Sequence, residues 1–163
     1  MIKRMRNIFV TTLLLVSMLC TQVFATVNTE FDSEVEVLDT RIFEYVNDTG
    51  ISTYATTFNT ATITISYDKD TGMEVLILTY VNGVASVVGV KDILIQAKSG
   101  SSWVTVATSP GGELTNVQGM GCEVTYAGAV EGVTYRVVCT HYANYEGYRE
   151  LYHESEGFKC QFT

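Results

Sequence analysis

The chain of 163 residues is short of the side chains from which most active sites are built. It holds two histidines, His141 and His153, one tryptophan, Trp103, and one proline, Pro110. A hydrolase with a Ser, Cys or Thr nucleophile needs a histidine beside it and a third group to orient that base. Gly-x-Ser-x-Gly is absent. His153, Glu154 and Ser155 do not make a triad, because Glu154 points to the strand face opposite its two neighbours. Cys-x-x-Cys and His-x-x-x-His pairs are also absent, which removes the usual spacing of a closed zinc site. Asp68-Lys69-Asp70-Thr71-Gly72 begins like a calcium loop, but the acidic ligand required downstream falls at Thr79, so a tight turn is the better reading. None of these motifs implies a cofactor.

Cations are scarce as well. Ten Lys and Arg stand against 18 Asp and Glu, a formal charge of −8. Such a surface repels phosphate backbones and offers anionic lipids no basic patch, so neither nucleic acid nor a membrane surface is expected as a partner. Helical periodicity, internal repeats and low-complexity blocks are missing. No apolar run reaches the roughly 20 residues that a membrane span requires.

What is present begins with an export signal. Lys3, Arg4 and Arg6 precede an apolar stretch from Ile8 to Leu19, and Val23-Phe24-Ala25 has the small-residue spacing cut by a signal peptidase. Residues 1–25 are read as a cleaved signal peptide, giving a secreted, extracellular product with no membrane attachment. Three cations leave with it, so residues 26–163 keep seven basic against 18 acidic side chains, near −11. Residues 26–50 carry Glu30, Asp32, Glu34, Glu36, Asp39, Glu44 and Asp48 against Arg41 alone. That charge density argues for an extended acidic leader and against a stable strand.

Residues 51–163 read as one domain. Ile63, Ile65 and Tyr67 alternate with Thr62, Thr64 and Ser66, as on a half-buried strand. Met73 to Val81 is apolar on both faces, and Asn82-Gly83 marks a turn. Val87 to Ala97 and Trp103 to Ala107 form a hairpin across Lys98 to Ser102. Residues 108–120, with Pro110, Gly111, Gly112 and Gly119, read as the longest loop. Cys122 to Ala127, Gly132 to Tyr142, Tyr148 to His153 and Phe158 to Phe162 complete the set. Gly132 to Tyr142 organises the rest: it alternates by twos, carries β-branched and aromatic residues and is entered through a Gly turn, as a central strand would be. About seven to nine short strands make an all-β antiparallel sandwich closing over Trp103 and Tyr135, with a small barrel as the alternative.

Two features resemble immunoglobulin-like and fibronectin type III-like domains. One is Ile93-Leu94-Ile95-Gln96-Ala97-Lys98 leading through a turn to Trp103-Val104-Thr105-Val106. The other is Gly132-Val133-Thr134-Tyr135-Arg136-Val137 rising to Thr140-His141-Tyr142-Ala143. Tyr135, just after a turn and two residues before an inward apolar position, resembles the tyrosine corner of such folds. The whole layout is similar to a group of short exported proteins of Gram-positive bacteria. In that group a Leu/Ile-Gln…Trp hairpin is followed by a Gly-x-x-Tyr-Arg-Val strand and a Gly…Glu…Ser stretch, here Gly147, Glu150 and Ser155. The likeness covers roughly residues 60–162 and implies an immunoglobulin-like β-sandwich. The group has no assigned activity, so no catalytic residue is implied. An immunoglobulin-like order also implies that the last strand lies beside the Tyr135 strand. Two thiol states then stay open: a Cys139–Cys160 disulfide, if their Cα atoms come within about 7 Å, or three free cysteines at Cys122, Cys139 and Cys160.

Two candidate sites remain. Tyr142, Tyr145, Tyr148 and Tyr152 cluster beside Glu146, Glu150, Glu154 and Glu156. Tyrosine supplies contact area and a hydroxyl at small entropic cost, so the expected function is a non-catalytic module binding an extracellular protein or glycan. The even spacing of Glu150, Glu154 and Glu156 reads as a solvated face rather than a sugar-cleaving pair. The alternative is a small zinc protein or enzyme. Cys139 and His141 share a strand face, and His153 and Cys160 approach from neighbouring strands as the third and fourth ligands.

Overall fold

The computed structural model describes residues 34–46 and 57–162. The signal peptide expected at residues 1–25 lies outside the described residues, as do residues 26–33 and 47–50 of the leader. Among the described residues there are ten strands and no helix. They are β1 (Glu36–Val37), β2 (Thr40–Glu44), β3 (Phe58–Asp68), β4 (Gly72–Ala85), β5 (Val88–Ser99), β6 (Ser102–Leu114), β7 (Val117–Tyr126), β8 (Thr134–Asn144), β9 (Tyr148–Glu154) and β10 (Phe158–Lys159).

One sheet runs β2-β7-β4-β3; the other runs β1-β6-β5-β8, with β9 and β10 in succession along the far edge of β8. Every pairing is antiparallel except the short parallel contact of β1 with β6. This is an immunoglobulin-like order. Strands β3, β4 and β7 take the places of A, B and E, while β5, β6, β8 and β9 take those of C, C′, F and G. Beside β7, where strand D belongs, lies β2, supplied from the N-terminal side.

Strand alternation builds the core. Met73, Val75 and Ile77 of β4 face Ile93, Ile95 and Ala97 of β5 and Val137 and Cys139 of β8, all buried. Each fully buried aliphatic side chain contributes about 1.5–3 kcal/mol. At the start of β8, Tyr135 is completely buried, and its hydroxyl accepts a hydrogen bond from the Val130 N–H at 2.9 Å. Its ring meets Tyr126 edge to face, centroids 6.1 Å apart. The tyrosine-corner geometry is thus present.

Several elements differ from expectation. The acidic leader supplies two strands, because its charges point outward while its few apolar residues find partners. Leu38 is buried, Ile42 sits over Gly112 and Phe43 over Gly121. Residues 108–120 are mostly strand. Thr108 turns its carbonyl toward Leu38 on the outer edge of β6, so Pro110, two residues on, presents its missing N–H to the same edge and breaks no ladder bond. Asn82-Gly83 is an irregularity within β4, not a turn; the register with β7 shifts between Tyr80 and Ala85. The last strand is only Phe158–Lys159.

Trp103 does not close the core. The β5–β6 turn sets it opposite Lys98 on the outer face. There it lies half-buried between Lys98 Nζ, 4.7 Å from the ring centroid, and the Arg136 guanidinium, 4.5 Å away.

Candidate functional site

The parity of β8 and β9 decides which side chains meet. Even-numbered residues of both strands point away from the core, and the register sets Tyr142 opposite Glu150 and Thr140 opposite Tyr152. The outer face of β9 therefore reads Tyr148, Glu150, Tyr152, Glu154 in one row. Tyr142 stands beside Tyr148, ring centroids 6.1 Å apart. Beneath Tyr142 lies Gly89 of β5; a Cβ there would fall 2.2 Å from Tyr142 Cζ, so only glycine leaves room for the ring. The Tyr142 hydroxyl donates to Glu113 at 2.8 Å. Burial, and then that carboxylate, push its pKa up.

Two ion pairs lie on this face. Lys91 bonds Glu150, and Arg136 bonds Glu154 while its Nε donates to Gln96 at 2.7 Å. The Tyr148 hydroxyl also donates to Glu150, at 2.7 Å. Lys91 above all, then Tyr148, holds the Glu150 carboxyl below its ordinary value. Three of the four tyrosines named from sequence thus share one surface with Lys91, Gln96, Trp103, Glu113 and Arg136. Sequence reasoning missed those five, because they come from β5, β6 and β8 and meet only through register.

Tyr145 is the exception. It lies in the tight β8–β9 connection, where Glu146 has φ 52° and Gly147 φ 119°. Its ring packs against the core over Gly83, where a Cβ would stand 2.7 Å from the ring edge. Tyr145 closes one end of the sandwich and is not part of the surface.

The second candidate set is divided. Cys139, His141 and His153 come together on the inner side of the same strands. His141, fully buried, has Nδ1 2.7 Å from the Thr79 hydroxyl of the opposite sheet. Its Nε2 lies 3.6 Å from Cys139 Sγ and 3.2 Å from His153 Nδ1. Cys160 is elsewhere: its N–H bonds Val133, below the start of β8, roughly 20 Å along the strand from Cys139. Neither the Cys139–Cys160 disulfide nor the four-ligand zinc arrangement is formed. Cys122, Cys139 and Cys160 are buried free thiols. Among the described residues, no group of three or more His, Cys, Asp and Glu side chains is placed to hold a metal ion.

Burial dominates the chemistry of this cluster. It pushes the Cys139 thiol up to about 12 and, with the neighbouring His153, holds His141 down at about 4. Both groups stay neutral near pH 7, so no thiolate–imidazolium pair forms. The arrangement is a hydrogen-bonded tie between the sheets.

On the outer side of the other sheet, an open groove of about 930 Å³ runs over Thr64, Leu76, Glu74 and Glu123, with Arg41 bonded to Glu123 at 3.1 Å. It carries Glu36 and Asp39 as further carboxylates.

Comparison with protein-family models, with curated proteins and with solved structures gave no match for this chain.

Proposed function

We propose that the chain is an exported, non-catalytic binding module that holds an extracellular glycan or protein on the outer face of β9, β8 and β5. The observation that carries this reading is the pair Tyr148 and Tyr152, 52% and 64% exposed on one strand, with Glu150 between them. Aromatic rings held open on a sheet supply contact area at little entropic cost. The carboxylates, Lys91 and Gln96 beside them supply donors and acceptors for hydroxyl or amide groups. Tyr142, seated on Gly89 and bonded to Glu113, is already in place before a ligand arrives, which lowers the cost of binding.

The test is retention of the purified protein on immobilised glycans, isolated Gram-positive cell walls and immobilised extracellular proteins. Retention by the wild type that is lost in the Tyr148→Ala, Tyr152→Ala double variant supports the reading. Equal retention of that variant, or no retention on any of the three probes, overturns it.

A further inference from the structure

Strand β9 ends its sheet on one side. It pairs with β8 alone, and among the described residues no strand lies beyond it. Six of its seven residues are exposed; His153 is half-buried. Backbone parity shows which groups this edge presents. The Asn144 N–H donates to Val87 and the Ser155 N–H to Val137, both at 2.9 Å. Even residues of β8 therefore bond β5, and odd ones bond Arg149, Leu151 and His153 of β9. The N–H and C=O groups of Tyr148, Glu150, Tyr152 and Glu154 consequently face outward, an open template for another strand.

An antiparallel copy of the same strand must bond through those four residues, and charge selects the register. Centring on Glu150 sets that carboxylate against itself. Centring on Tyr152 sets Glu150 against the second copy's Glu154. Like charges directly opposite destabilise a sheet. Centring on Leu151 sets Tyr148 opposite Glu154, Glu150 opposite Tyr152 and Arg149 opposite His153, and overlaps the whole strand. No like charges are paired, and each Glu already has its own cation in Lys91 or Arg136. Leu151, 41% exposed, then meets its counterpart in a pair whose Cα atoms are about 4.5 Å apart.

We infer that β9 is a self-association edge, on which a second copy of this chain pairs antiparallel about a two-fold axis at Leu151. The continuous sheet so formed keeps Tyr148 and Tyr152 of both copies on one outer face.

Sedimentation of the purified protein and cysteine cross-linking test this. The wild type should show a monomer–dimer equilibrium. Leu151→Cys should oxidise to a disulfide dimer roughly tenfold faster than Val84→Cys, an exposed control, or Tyr152→Cys, because only the pair on the axis lies within disulfide reach. Leu151→Lys should weaken dimerisation roughly tenfold or more with unchanged far-ultraviolet dichroism, since it opposes two cations on the axis. A wild type that stays monomeric to millimolar concentration overturns the inference. So does cross-linking at Leu151 no faster than at Val84, or faster at Tyr152. Leu151→Lys leaves Tyr148 and Tyr152 intact, so ligand retention and self-association can fail separately.

Discussion

His141 Nε2 lies 3.2 Å from His153 Nδ1, while the other nitrogen of the same ring reaches Thr79 of the facing sheet at 2.7 Å. One neutral imidazole thus joins both layers, and protonating it would put a charge where water cannot follow. The unfolded chain takes up this proton near 6.5, the folded chain only near 4. Between those values the unfolded state binds more protons, so stability is fully present above about pH 6.5 and falls as the pH drops toward 4. The loss attributable to this ring is at most roughly 3 kcal/mol. Urea unfolding across that range should show the slope, and His141→Gln should flatten it.

Tyr135→Phe removes one oxygen atom and leaves the Val130 N–H without its acceptor. Val130 is exposed, so water can replace the lost acceptor, and the net loss of one such hydrogen bond costs about 0.5–1.5 kcal/mol. Denaturant unfolding should show that loss with an unchanged m-value.

The three thiols should be silent until the protein opens. In native buffer, Cys122, Cys139 and Cys160 should react slowly with a thiol reagent, because all three are buried and burial raises each pKa. In urea without reductant, all three should alkylate at once, as read by mass spectrometry.

Replacing Tyr148 and Tyr152 by Ala should change stability by less than about 1 kcal/mol, since both rings are exposed. Thermal melting should separate this from Gly89→Ala. There the new methyl group has no space beside the Tyr142 ring, and overpacking costs about 1–3 kcal/mol.

The central strand was legible from sequence because its cues agree: a Gly turn, period-two alternation and Tyr135 at the entry all point to one buried face. The facing Ile63, Ile65 and Tyr67 were legible for the same reason. Trp103 was misplaced because size suggests burial, whereas its side was decided by a short turn and by irregularities between Lys91 and Leu94 and between Ile95 and Gln96. A bulge flips every later side chain to the other face and leaves almost no compositional trace. Proximity in sequence groups Tyr145 with its neighbours, yet the three-residue connection turns it inward. The leader misled through its charge, which outward-pointing strand residues accommodate freely.

The tethering of Glu150 by Lys91 and of Glu154 by Arg136 reaches beyond local geometry. The molecule as a whole is strongly anionic, but the two carboxylates within the tyrosine row are each offset by a cation in direct contact. An uncharged saccharide would reach it at a rate nearly independent of ionic strength. An anionic partner would be slowed by the remainder of the molecule and quickened by added salt, so the ionic-strength dependence of the association rate would report the charge of whatever settles there.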